Sequence, residues 1–372
     1  MTALDSDLVS VALRDPLALV AWPVPHWEEL IRQGRRADLL SRLAVEVKDA
    51  GLLEQVPAAP RMHLEAALVV AQAQEEAVRR ETGYIHKAVA PIGVDIVLLK
   101  GAAYLIGGLP AARGRVFSDV DFLVPKHALP EVEAALMLHG WATTHHNAYD
   151  QRYYRQWMHE LPPLRHIVRM TVVDVHHAIL PPTARLKPDS AKLLAASRPI
   201  AGEDRLRVLC PADMVLHSAT HLFHNEELSQ GLRDLADLDS LVRDFAREPG
   251  FWEDLPRRAA ELDLARPLYY GLRYASRYLG TPVPPRAGLR IEAGKPSRAA
   301  GLLMDALYDR ALRPVAAGDA GVFAPLSRHA LYVRAHWLRM PPLLLARHLG
   351  VKAFRREDDL APAGPERVRG AT

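Results

Sequence analysis

Between Asp95 and Pro125 the chain reads DIVLLKGAAYLIGGLPAARGRVFSDVDFLVP, and this stretch restricts the fold more than any other. Two apolar runs of strand length bracket a connection punctuated by glycine and proline. Asp119 and Asp121 lie one residue apart inside the second run, so on a strand their side chains leave from the same face. Ionised carboxylates in an apolar run are costly unless a cation or hydrogen-bond donors meet them. The first run closes on Lys100-Gly101-Ala102-Ala103, a small-residue passage from strand to helix. Two acids beside such a turn suit a divalent metal held against a phosphate.

The rest of the chain divides around that stretch. Residues 1–92 are expected to form a helical cap: WEELIRQGRRADLLSRLAVEVKDAGLL and, after Pro60, HLEAALVVAQAQEEAVRRETGYIHKAV repeat apolar residues at three- and four-residue steps. From Gly93 to about residue 205 the pattern changes to short runs, IVLLK, DVDFLV and MTVVDVHH, mixed with helix-like pieces such as HALPEVEAALMLHGW. That predicts a small mixed sheet carrying helices. Residues 206–354 read as a second helical region, opened by Pro211 at a helix start and containing the stripe Leu232, Leu235, Leu238, Val242 and Phe245. A Pro/Gly-rich linker is expected at 281–298, and a disordered tail at 355–372. The fold class is therefore α+β, a mixed-sheet core flanked by N-terminal and C-terminal helical regions.

Composition narrows the partners. The 372 residues are 49% hydrophobic and 24% charged, as expected of a soluble globular protein with two or three domain-sized units. The net charge of +3 comes from scattered basic residues, so no specific nucleic-acid partner is expected. The lone Cys210 excludes an internal disulfide and a Cys-rich zinc module, and fits a reducing, cytoplasmic setting. The first residues carry acids where a signal peptide would be basic, and no run nears the roughly 20 apolar residues that span a bilayer.

A third acid completes the candidate site. In Thr171-Val172-Val173-Asp174-Val175-His176-His177 a carboxylate again sits within a strand-like run. Three acids on neighbouring strands would give a cation a site; the bland alternative for Asp174 is a structural pair with an arginine. His176 shares the Asp174 face and could position a metal-bound group or act as a base, whereas His177 points the other way. Lys100 could neutralise a phosphate approaching the glycine turn, and the planar fork of Arg115, beside Gly114, could meet triphosphate oxygens.

The combination LLKGAAYL, RGRVFSDVDFLV and VVDVHH resembles the DNA polymerase beta-like nucleotidyltransferase superfamily. Within it, the chain is more similar to a bacterial family of uncharacterised nucleotidyltransferases. That family shows an L-K-G element, an Arg four residues before D-x-D, a D-x-H strand and a later L-R-x-x-x-D helix. The matching residues are Lys100 and Gly101, Arg115, Asp119 and Asp121, Asp174 and His176, and Arg233 with Asp237, in a likeness spanning roughly residues 25 to 350. The resemblance implies that Asp119, Asp121 and Asp174 are catalytic and hold Mg²⁺ or Mn²⁺. It implies nucleotide contacts from Lys100, Gly101, Ala102, Arg115 and Ser118, with His176, Arg233 and Asp237 behind them. The substrates would be a nucleoside triphosphate and a small-molecule or protein acceptor of unknown identity. The superfamily usually has Gly-Ser or Gly-Gly at the phosphate turn; here Gly101 is followed by Ala102, which leaves open a non-catalytic member that only binds a nucleotide or partner.

Other residues carry weaker signals. His217, His221 and His224 share one helix face at a spacing that can bind zinc, or they form a polar face toward the cleft or solvent. Arg233 and Asp237 are one helical turn apart, as an ion pair fixing the helix would be. His159-Glu160 precedes Leu161-Pro162-Pro163 in a loop that serves recognition or merely a turn. Residues 326–356 mix Arg and His with Leu, Trp and Met; packing against the protein is expected, and contact with a membrane surface is the alternative.

Overall fold

The computed structural model describes residues 7–144, 148–224, 228–314, 323–341 and 343–346. The architecture is a mixed, helix-rich one built on a seven-stranded sheet. Its strands are β1 (Ile96–Leu98), β2 (Asp119–Leu123), β3 (Trp141–Thr143), β4 (Leu164–His166), β5 (Val172–His176), β6 (Arg198–Pro199) and β7 (Leu206–Val208). The order across the sheet is β3-β4-β5-β2-β1-β7-β6. The neighbours β2 and β5, and β1 and β7, run parallel, and the remaining pairs are antiparallel. β1, β2 and β5 occupy the centre; β1 is buried throughout and β2 and β5 at most positions, which explains the near-continuous apolar runs in the sequence.

The two helical signals before the sheet form Val24–Arg36, Leu40–Asp49 and the long helix Ala58–Val89, which admits Pro60 in its first turn, where no backbone N–H is needed. Helices Pro211–His224, Gly231–Phe245 and Ala265–Leu279 pack against one another behind the sheet. The stripe Leu232, Leu235, Leu238, Val242 and Phe245 is buried throughout. A single apolar core runs from Leu8 through the sheet to Leu331.

Two expectations change. The Pro/Gly-rich stretch near 281–298 is not an open linker: Pro284 and Pro285 start a helix, Pro285–Ile291, whose Ala287 and Ile291 are buried. Proline fits a first helical turn as readily as a loop, so its presence alone did not separate the two. The segment 326–356 is described only in part; Phe323–Arg339 is a helix packed on Arg298–Ala311, with Leu331 and Ala335 buried and Trp337 half-exposed. The tail from residue 355 lies outside the described residues. No described helix is long and apolar enough to cross a membrane.

Candidate active site

Strand register assembles the acids. β2 and β5 run parallel with Asp121 opposite Asp174, so both carboxylates project from one face, and Asp119 joins them by the two-residue repeat of its strand. One ligand oxygen from each of the three lies within 4.8 Å of the others. Asp119 is half-buried at the strand end and accepts a hydrogen bond from Ser118 Oγ at 2.9 Å. Asp121 is 2% exposed.

β1 brings the lysine. Leu99 N–H donates to Asp121 O at 2.9 Å, and the chain turns into the short helix Lys100–Ile106 with Lys100 in the left-handed region, φ +46°. A non-glycine residue held there stores of the order of 1 kcal/mol of strain, which concentrates at sites where a side chain must be aimed. The Lys100 ammonium donates to Asp121 Oδ1 at 2.8 Å, and His176 Nε2 meets the same oxygen at 2.9 Å. Both partners land on Oδ1, and neither engages Oδ2.

The electrostatics are uneven within the cluster. Burial alone would raise the Asp121 carboxyl, but Lys100 and His176 hold it well below the usual carboxylate range. Burial likewise opposes the Lys100 charge, yet Asp121 and Asp119 outweigh it and keep the ammonium charged. Among the described residues Asp174 has no hydrogen-bonded cation of this kind. Burial, then Asp121 and Glu160, push its carboxyl up to about 7, and its Oδ1 is buried without a hydrogen bond. An acid stranded beside two others is what a bound cation relieves, so the residues fit a divalent metal of the oxygen-preferring kind.

Beside the acids opens a cavity of about 190 Å³. Lys100, Asp174, His176, His159 and Glu160 form one wall, and His217, Thr220, His221 and His224 of helix Pro211–His224 form the other, with Arg339 at its edge. The three helical histidines therefore face the cleft, in line with the polar-face reading, and among the described residues they belong to no cluster of ligand atoms that could hold a metal. Burial keeps them neutral: His217 and His221 fall below the ordinary histidine value, and His224 is pushed down to about 3.

Arg115 and Asp237 are brought together elsewhere. Arg115 Nε donates to Asp237 Oδ2 at 2.8 Å, and Arg42 Nη2 reaches Asp237 Oδ1 at 2.6 Å. Arg115 is not among the residues lining the cavity. It lies beneath Gly101 instead: a Cβ there would collide with Arg115 Nη1 and stand 2.9 Å from Phe117 Cδ1. Gly101 is thus required by the packing of Arg115 under the turn. Gly114, at φ +63°, has a parallel role, since a Cβ would come within 2.7 Å of the Ser41 and Arg42 backbone.

The helical ion pair expected between Arg233 and Asp237 does not form. Both Asp237 oxygens are taken by arginines from outside the helix, so Arg233 turns to Asp234 at 2.9 Å and to Asp38 at 3.9 Å. Sequence reasoning missed Arg42 and Asp234 altogether. Arg42 had a signal: it falls on the apolar side of Leu40–Asp49, between buried Leu39 and Leu43, where a charge demands a partner. His177 is buried and its ring is held neutral, chiefly by burial and by Lys126.

Comparison with curated proteins and with solved structures gives no match. A protein-family model described as an uncharacterised nucleotidyltransferase matches residues 23–280, which include the whole sheet, the three acids, Lys100, Arg42, Asp237 and the helical histidines. By that match the chain belongs to the uncharacterised nucleotidyltransferase family.

Proposed function

We propose that the protein is a divalent-metal-dependent nucleotidyltransferase of the polymerase beta-like kind, moving a nucleoside monophosphate from a triphosphate to a hydroxyl-bearing acceptor with release of pyrophosphate. The observation that carries the reading is the register of β2 against β5, which sets Asp174 beside Asp121 with an unpartnered buried oxygen. Asp119, Asp121 and Asp174 would hold Mg²⁺ or Mn²⁺. When bound, such an ion neutralises phosphate oxygens and lowers the pKa of the attacking hydroxyl. Lys100, kept charged and aimed across Asp121 into the cavity, is placed to meet a phosphate oxygen. Asp174, the acid with the weakest hold on its negative charge, is the natural acceptor of the acceptor hydroxyl's proton. Arg115 serves the site by propping Gly101 and the turn of Lys100, and Ser118 orients Asp119. With a single cysteine and no long apolar helix among the described residues, we expect the enzyme to work in the cytoplasm.

Two features favour a second reading. Lys100 and His176 already neutralise Asp121, and Ala102 stands where a phosphate-touching serine is usual, as in a binding protein of the same fold that has given up transfer. Nucleoside triphosphates labelled at the α-phosphate, incubated with the protein and cell extract, decide between them. Label moving to a new species, and lost in Asp121→Asn, supports transfer. Binding of Mg-triphosphate with no label moved from any of the four nucleotides would leave the binding protein as the correct description.

A further inference from the structure

On the cavity side of the aspartates, a second set of ligand atoms converges. Residues 159–161 run antiparallel to the end of β5: Glu160 bridges His176, Leu161 N–H donates to Val175 O at 2.9 Å, and His177 N–H donates to His159 O at 2.8 Å. This backbone ladder continues the β4–β5 pairing and fixes where the three side chains start. His159, Glu160 and His176 each offer a ligand atom, all within 4.8 Å of one another.

The spacing has the size of a metal's coordination shell. His176 Nδ1 lies 3.3 Å from Glu160 Oε2, and His159 Nε2 lies 3.7 Å from the same oxygen. Ligands bound tetrahedrally to zinc at about 2.0–2.1 Å stand about 3.3–3.4 Å apart. His176 Nδ1 is buried and makes no hydrogen bond to the Glu160 carboxylate, so the approach is either the ion pair of a protonated ring, which Asp121 and Glu160 favour, or the spacing of two ligands. His159 Nδ1 is buried and unpartnered as well. The opposite nitrogen of His176, Nε2, is engaged by Asp121 Oδ1 at 2.9 Å. In a neutral ring that contact puts the proton on Nε2 and leaves the Nδ1 lone pair facing Glu160, the carboxylate–histidine–metal relay that orients zinc ligands.

We propose that His159, Glu160 and His176 form a zinc site, distinct from the aspartate triad, whose remaining coordination position opens into the cavity. All three residues line that cavity, opposite His217, His221 and His224. Two imidazoles and one carboxylate select a borderline ion such as Zn²⁺ over Mg²⁺, which prefers oxygen ligands throughout. Three protein ligands with an open fourth position is the arrangement of zinc centres that take a water or substrate oxygen. The His176–Asp121 hydrogen bond joins this site to the acids, so one histidine would serve both.

The rival arrangement places a second proton on His176, making an imidazolium between Asp121 and Glu160 with no metal. Full-length protein stripped by a chelator and titrated with Co²⁺ in excess Mg²⁺ separates the two. The expected result is one Co²⁺ per chain with the visible absorption of a four-coordinate centre, displaced by Zn²⁺. Glu160→Gln and His159→Ala should weaken binding roughly 100-fold or more with circular dichroism unchanged, and Asp119→Asn should keep it. X-ray absorption of the zinc-loaded wild type, which needs no variant, should show two imidazole ligands. A wild type that takes up no Co²⁺, a Glu160→Gln variant that binds as tightly as wild type, or an oxygen-only zinc environment would each overturn the proposal.

Discussion

Two of the charge clusters that the molecule buries are balanced in opposite ways. At Asp237 a single carboxylate gives one oxygen to Arg42 and the other to Arg115, joining a helix before the sheet, the β1–β2 connection and a helix behind it. At Asp121 four carboxylates, Asp119, Asp121, Asp174 and Glu160, surround one ammonium and one imidazole, and Asp174 is left with a buried oxygen that nothing meets. In the first cluster both carboxylate oxygens are met from within the protein, although Arg42 Nη1 is buried without a hydrogen bond among the described residues. The second has an excess of negative charge that a proton on Asp174 or a cation from outside can offset. A fold keeps such an imbalance where binding repays it, which is why the acids, and not the arginine pair, mark the site.

If the contrast is right, the two clusters respond to mutation with opposite signs. The largest effect is on chemistry: Asp119→Ala should lower label transfer roughly 10³-fold, about 4 kcal/mol of barrier, with the urea midpoint unchanged. Loss of stability instead of activity would move Asp119 into the structural class. Next, Asp237→Asn leaves two buried guanidiniums facing a neutral amide and should destabilise the fold by about 3–5 kcal/mol in urea unfolding. A near-neutral result would mean that the arginine pair is not what fastens the leading helices to the sheet. Third, Asp174→Asn removes like-charge repulsion and should raise the metal-free melting temperature, by roughly 1–2 kcal/mol of stability, while erasing the gain that Mg²⁺ gives the wild type. Destabilisation in metal-free buffer would show that Asp174 already has a partner.

The smallest effect concerns pH and the helical histidines. His224 has an ordinary value of 6.5 and about 3 in the fold, because burial and then Arg334 disfavour its charge. It is neutral in both states above pH 7; as pH falls below 6.5 only the unfolded chain takes the proton, and stability is lost progressively toward pH 3. Between pH 7 and 5.5 that amounts to about 1 kcal/mol. His224→Leu should flatten that part of the stability profile, and an unchanged slope would assign the pH dependence to other groups.

The sequence announced the acids because their signal is local. A carboxylate in an apolar run is conspicuous, the two-residue repeat puts Asp119 and Asp121 on one face, and the central strands are readable as apolar stretches punctuated by these acids. What remained hidden depends on partners far apart in the chain. Arg115 looked available for a phosphate because Asp237, which claims it, is 122 residues away. Arg233 and Asp237 looked paired because helical spacing was the only geometry in view, and Arg42 arrives from 195 residues off to take the carboxylate. The same limit hid Glu160, whose meaning comes from an antiparallel bridge to His176 that no spacing rule foretells. The outer strands β3, β6 and β7 are only two or three residues long, too short to leave a periodic trace.

Calorimetric titration of the protein with Mg²⁺ and a non-hydrolysable nucleoside triphosphate puts the charge imbalance at Asp119, Asp121 and Asp174 to the most direct trial. The expected result is metal-dependent binding that vanishes in Asp119→Asn and Asp174→Asn but survives in His224→Leu. No metal-dependent heat in the wild type, or equal heat in the aspartate variants, would contradict it.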